Sequence, residues 1–306
     1  MRQIKELHIR VGAVIIDIQT DFPMPYFRIG EFMAKKKFEE LNLKDAFLFG
    51  AVLEDPETCR ISLEVMLGKE IAGVTVHAEH TLFYNSDYRS IRLDIHATDE
   101  NQDRYNVEMQ TDDKKNLPKR SRFHQAEMDV ASLKPGEDFQ TLRSGYVIFI
   151  CDFDPFGKGR YRYTFENRCR EEDFPLEDGA TRIFLSTKGR NPDEVPTELV
   201  NFLRYVEEST DDCARQLQDK VVTKIHDRVT ALKKSREWER SYMKFEELLQ
   251  DAEAQGREEG REEGREQGQS RLQKLISKMT EAGEVDKLAR LADAIFLQEM
   301  YQKYHL

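Results

Sequence analysis

Two short runs of alternating apolar and polar residues face one another across a polar loop, and they constrain the fold more than any other feature of the chain. Ile91, Leu93 and Ile95 alternate with Arg92, Asp94 and His96, and Val107 and Met109 alternate with Asn106, Glu108 and Gln110. A period of two is the pattern of a strand with one apolar face. The connecting stretch from Thr98 to Asp103 is polar, so the simplest arrangement is an antiparallel hairpin centred on Asn101. That register sets Asp94 opposite Glu108, since both are equidistant from Asn101. Side chains opposed in this way have Cβ atoms about 4.5–5.5 Å apart. Gln110 falls on the same face by the two-residue period. Leu93, Ile95, Val107 and Met109 point the other way, into a core.

Two opposed carboxylates repel each other unless a cation lies between them. A hard divalent metal is the natural candidate, because one or two carboxylates with water match how magnesium is held beside phosphate groups. Such an ion activates water and stabilises the charge that builds on a phosphodiester during displacement. The chemistry suggested is metal-assisted hydrolysis of a nucleic-acid backbone. The alternative is an ordinary solvated hairpin face on which the acids are incidental.

Around the hairpin, Phe38 to Leu67 carries apolar residues at spacings of two to four, with Pro56 interrupting them, and predicts two short helices. A helix is predicted over Leu117–Ser132, a turn at Lys134-Pro135-Gly136, and a central buried strand over Tyr146–Cys151. From about Pro192 the pattern becomes helical, with Val206, Leu217, Val221, Ile225, Val229 and Leu232 forming an apolar face. After Gly256, residues 257–268 repeat with a period of four, as Arg-Glu-Glu-Gly twice and then Arg-Glu-Gln-Gly. Glu258 reaches Arg261 and Glu262 reaches Arg265 at i, i+3, each pair contributing roughly 0.2–0.5 kcal/mol. Each glycine costs about 1 kcal/mol in a helix interior, which outweighs the ion pairs. The repeat is therefore a linker, a weak helix or hinge, or a close-packing seam. The expected organisation is an N-terminal extension over 1–37, an α/β domain over 38–190, a helical region over 191–250, the charged repeat over 251–270 and C-terminal helices over 271–306. Met33 resembles a natural start, which would make residues 1–32 an addition to the protein.

Charge and composition exclude several classes. The longest apolar strip, Val147–Cys151, is far below the ~20 residues that cross a bilayer, so no membrane partner is expected and the chain is placed in the cytoplasm. Four cysteines without a CxxC pair indicate neither a zinc cluster nor a disulfide framework. A net charge of −11 disfavours attraction of the whole surface to nucleic acid, yet leaves room for a local basic strip. The seven histidines show no HExxH or HxH spacing, and no Ser/His/Asp or Cys/His arrangement for nucleophilic catalysis stands out.

Asp94, a spacer of 13 residues and then Glu108-Met109-Gln110 resembles the PD-(D/E)XK nuclease signature in its D…ExQ form. The ordered context of Leu43-Lys44-Asp45-Ala46-Phe47, Val107 to Gln110, Arg120 with Arg122, and Tyr146 to Phe156 is similar to the recombination-promoting nuclease (Rpn) and transposase family, over residues 38–190. Members of that family often end in charged Glu/Gly repeats. The resemblance implies an α/β restriction-endonuclease-like mixed sheet flanked by helices, followed by a helical C-terminal region. It also implies a metal-dependent DNA endonuclease in which Asp94 and Glu108 hold Mg2+, or another divalent ion such as Mn2+ or Ca2+. Gln110 stands where the superfamily has lysine. An ammonium can offset charge in the transition state, while an amide can only orient water or a phosphate oxygen. Lys114, Lys115, Lys119, Arg120 and Arg122 directly follow the site, where a phosphate backbone needs positive charge.

Other residues keep two readings. An acidic ligand from the first helical region could be Glu40, Glu54 or Glu64. Asp152 and Asp154 read as turn formers that could touch the metal, and Gly157-Lys158-Gly159 as a turn. His124, four residues after Arg120, could contact water or phosphate. The competing function is a catalytically weak or inactive nuclease-fold protein that binds DNA or forms homo-oligomers through its helical tail.

Overall fold

The computed structural model describes residues 6–11, 14–19, 36–78, 82–85, 88–91 and 95–306. Asp94, the expected partner of Glu108, lies outside the described residues, as does Met33. Two compact units are present: residues 36–249 form one, and residues 250–306 with the N-terminal 35 form the other.

In the second unit, β1 (Glu6–Val11) and β2 (Val14–Gln19) pair antiparallel. The first unit opens with α1 (Ala46–Leu53) and α2 (Pro56–Leu67). The apolar run of α1 is buried almost end to end. Pro56 divides the two helices, as the apolar spacing predicts, and begins α2: Asp55 caps it by accepting from the Thr58 backbone N–H at 2.9 Å, and proline at the first position loses no hydrogen bond there. Gly68 closes α2 at φ +70°, where a side chain would be strained.

The strands follow as β3 (Val74–Ala78), β4 (Leu82–Asn85), β5 (Tyr88–Ile91), β6 (Ile95–Asp99), β7 (Arg104–Gln110), β8 (Gly145–Cys151), β9 (Arg162–Phe165) and β10 (Ala180–Ser186). β4 and β5 form a hairpin of their own. The other six, among the described residues, make one mixed sheet in the order β3-β6-β7-β8-β10-β9. β7, β8 and β10 run parallel, and the remaining pairs are antiparallel. β6 and β7 pair as Ile95↔Val107, His96↔Asn106, Ala97↔Tyr105 and Thr98↔Arg104, the register centred on Asn101 that the alternation predicts. Asp99 fixes the turn between them: one carboxylate oxygen accepts from the N–H groups of Asn101 and Asp103, and the other from the Tyr105 hydroxyl at 2.7 Å.

α3 (Leu117–Ser132) covers one face of the sheet. Leu117 and Met128 of α3 pack there with Val147, Phe149 and Cys151 of β8, Tyr163 of β9 and Phe184 of β10. The opposite face carries Tyr105, Val107, Met109, Ile148, Ile150, Ile183 and Leu185. It is closed by α1, α2 and three further helices, α4 (Thr197–Glu207), α5 (Asp211–Leu217) and α6 (Lys220–Lys233). Each large apolar side chain fully buried in these layers contributes about 1.5–3 kcal/mol.

α7 (Arg236–Glu281) belongs to the first unit as far as Leu249 and to the second from Gln250. In the second unit its later turns bury Leu272, Leu275 and Met279 against Leu288 and Leu291 and against Phe296 and Leu297 of α8 (Ala294–Lys303). The charged repeat lies inside α7, so residues 256–268 are continuous helix and not a flexible linker. Helix growth from established flanks needs no new nucleus, and arginine and glutamate are good helix formers. A Cβ built on Gly256, Gly260, Gly264 or Gly268 meets nothing within 4 Å, so these glycines are not a close-packed seam among the described residues. No helix among the described residues is long and apolar enough to cross a membrane.

Candidate active site

Glu108 sits near the C-terminal end of β7 on the face that α3 covers, and only 7% of it is exposed. Side chains of α3 reach over this part of β7, so Glu108 and the fully buried Asn106 before it are enclosed and not solvated.

Three polar side chains converge on Glu108. Gln110 Nε2 donates to its Oε1 at 2.6 Å and to the Met109 carbonyl at 3.0 Å. Arg120 of α3 donates to the same Oε1 and forms an ion pair with it. The other amino group of Arg120 donates to Gln110 Oε1 at 2.9 Å. Its guanidinium also lies 5.7 Å from the centre of the Phe149 ring. His124, 3% exposed, brings Nε2 to 3.4 Å from Glu108 Oε2, and its Nδ1 lies 3.3 Å from Glu127. Arg120 and His124 are four residues apart and so share a face of α3.

All the well-formed hydrogen bonds fall on Oε1, leaving Oε2 buried without one. Two residues earlier Asn106 is fully buried, and its Oδ1 is also without a partner, although its amide nitrogen lies 3.5 Å from His96. Two orphaned oxygens on one strand face are unusual, since buried polar groups are nearly always satisfied. They are the donor type a hard divalent ion takes. Among the described residues, no group of three or more His, Cys, Asp or Glu is arranged to hold a metal.

The surrounding field is acidic. Burial pushes the Cys151 thiol up, and the carboxylates of Asp113, Asp152, Glu108 and Asp154 push it further. Asp152 is also raised, chiefly by burial. Beyond it Glu207 accepts from Lys44, Lys188 and Thr187 at 2.7–2.8 Å. Burial alone would raise the Glu207 carboxyl, but those donors outweigh it and hold the group down at about 2.

The other expected residues have varied surroundings. Lys114 lies 3.6 Å from Asp112, and Lys115 is paired with Asp113. Lys119 and Arg122 are exposed on α3, whereas Arg120 turns inward. Asp154 is a turn former: it accepts from the N–H groups of Phe156 and Gly159 and from the Tyr163 hydroxyl. Gly157 and Gly159 both take positive φ, at +66° and +69°, as a tight turn requires. Glu40 closes its own short helical turn, and Glu64 is taken up by Arg60 and the Ile71 N–H. Sequence reasoning gave His124 only a minor contact with water or phosphate and gave the Asn106 carbonyl no role. The spacing Arg120–His124 was the available signal for the first; nothing local marked the second.

No curated protein and no solved structure matches the chain. The sequence pattern of the PD-(D/E)XK nuclease family transposases matches residues 60–259, a span that contains β3 to β10, α3 and the whole Glu108 cluster. That match covers more than half of the chain, which belongs to the PD-(D/E)XK nuclease family transposases.

Proposed function

We propose that the protein is a metal-dependent DNA endonuclease, with Asp94 and Glu108 holding Mg2+ or a similar divalent ion. The observation that carries this reading is the buried Glu108 carboxylate with one oxygen lacking a hydrogen bond, next along the strand face to a second such oxygen on Asn106. A bound divalent ion supplies an activated water and offsets charge at the reacting phosphate. Gln110 holds one edge of Glu108 through its amide N–H, and the second lone pair of its Oε1 would be the atom that orients water at the site. Arg120 stabilises charge at the phosphate once it leaves Glu108, and Lys114, Lys115, Lys119 and Arg122 grip the adjoining backbone. His124, wedged beside Oε2, keeps the carboxylate from rotating.

A second reading rests on the Arg120–Glu108 ion pair. An internal cation already neutralises the carboxylate, as in a nuclease fold kept for DNA binding or for assembly through the helical tail. A supercoiled-plasmid nicking assay with magnesium, manganese or calcium separates the two. Metal-dependent nicking that disappears in both Asp94→Ala and Glu108→Ala is the expected result. DNA binding without cleavage in every metal would instead establish the second reading.

A further inference from the structure

The three parallel strands end on a single rung, where Gln110 pairs with Cys151 and Cys151 with Ser186. The loops that leave β8 and β10 from this rung enclose a cleft of about 570 Å³. Four cations line it, Lys158, Arg160, Lys188 and Arg190, with only Asp154 and Glu194 to oppose them. Asp154 is consumed by its own turn and the Tyr163 hydroxyl. Glu194 is paired with Arg160 at 2.6 Å, and Lys188 with Glu207 at 2.8 Å. Lys158 and Arg190 are exposed and have no ionic partner among the described residues. In a chain of net charge −11, two uncommitted cations across one cleft are a local reversal of sign.

Direct contacts tie the two walls of the cleft together. Arg190 N–H donates to the Gly159 carbonyl at 2.7 Å, and Tyr161 N–H to Asn191 Oδ1 at 2.9 Å. The Tyr161 ring lies against Gly189 so closely that a Cβ there would sit 2.2 Å from a ring carbon. Phe156, from the same loop as Lys158, packs on Tyr163 and Phe184, the sheet face that also carries Glu108.

We infer that this cleft is a phosphate-binding site that holds the DNA backbone a few nucleotides from the bond to be cut, with Lys158 and Arg190 as the two side chains that grip it. The inference deepens the nuclease reading and rests on it. β7 and β10 are two strand spacings apart, about 10 Å, which is about three phosphates at one per 3.4 Å of helix axis along a strand.

The test is binding of a fluorescent DNA duplex by the full-length protein in calcium across a salt series, alongside plasmid nicking in magnesium. Each phosphate that the protein no longer neutralises lowers the salt slope by about 0.9. Lys158→Ala/Arg190→Ala is therefore expected to lower it by about 1.8 and to weaken binding about tenfold or more. Lys158→Arg/Arg190→Lys should keep the wild-type slope. Lys134→Ala/Arg143→Ala removes the same charge before β8 begins and should leave the slope alone. The inference is overturned if wild type and Lys158→Ala/Arg190→Ala bind with one slope, even while nicking persists. It is overturned as well if wild type does not bind DNA. Binding that depends on Lys158 and Arg190 without any nicking supports the cleft and removes the endonuclease reading instead.

Discussion

The guanidinium of Arg120 donates to the side-chain carbonyl of Gln110 at 2.9 Å, bridging from α3 to the last residue of β7. Because its other amino group reaches Glu108, one cation holds both polar residues of the ExQ pair.

Arg120→Ala leaves Glu108 buried with its charge uncompensated. Removing one partner of a fully buried pair costs about 3–5 kcal/mol, and Arg120 is a third exposed, so the metal-free protein should lose about 2 kcal/mol. Magnesium should then recover more stability in the variant than in wild type, because the ion no longer competes with an arginine. Thermal unfolding with and without magnesium measures both. An equal rise in Tm for the two proteins would count against Glu108 as a ligand.

Gln110→Lys places an ammonium where the amide now accepts from Arg120. Two cations cannot share that position, so Arg120 should swing away from Glu108. Nicking is expected to rise on the order of tenfold, about 1.4 kcal/mol of barrier, in a plasmid time course. An unchanged rate would mean that the amide is not what restrains catalysis.

Glu207 is held far below the ordinary carboxylate range by Lys188, Lys44 and Thr187, against the effect of burial. A depressed folded-state value means stability that is complete above the unfolded value, near 4.5, and lost as pH falls towards about 2. Glu207→Gln should therefore cost about 2 kcal/mol at neutral pH, discounted for partial solvent exposure. Urea unfolding across pH should show the gap between variant and wild type closing through that window.

Alanine at Gly256, Gly260, Gly264 and Gly268 meets no steric obstacle and should stabilise the surrounding helix by about 1 kcal/mol per position. Hydrogen exchange of residues 250–270 reads this directly. If these glycines instead let two copies of the chain approach closely, the quadruple variant should dissociate in sedimentation while its helix strengthens.

The β6–β7 register was legible because both strands carry their own alternation and Asp99 anchors the turn between them. The bounds of α3 were legible too, from Leu117 to Ser132. The roof over Glu108 was not: Asn106, Glu108 and Gln110 are as polar as a solvated edge, and only pairing with β8, some forty residues on, makes β7 a central strand. The break at Pro56 was legible as a boundary between two helices, whereas its place as the first residue of α2 depends on the cap that Asp55 supplies. The cleft at Lys158 and Arg190 arises from two loops thirty residues apart, and neither carries a phosphate-loop spacing.

The contact between the Tyr161 ring and the bare backbone of Gly189 has a thermodynamic meaning. A flexible loop gives up about 1–2 kcal/mol of conformational entropy per residue when a ligand orders it. On the phosphate-binding proposal, the contacts that tie the two walls together are already made in the folded chain, so that loss falls on folding and not on binding. A single added methyl group at position 189 would force the walls apart, and the affinity of the cleft would then depend on a rearrangement that the native chain completes as it folds.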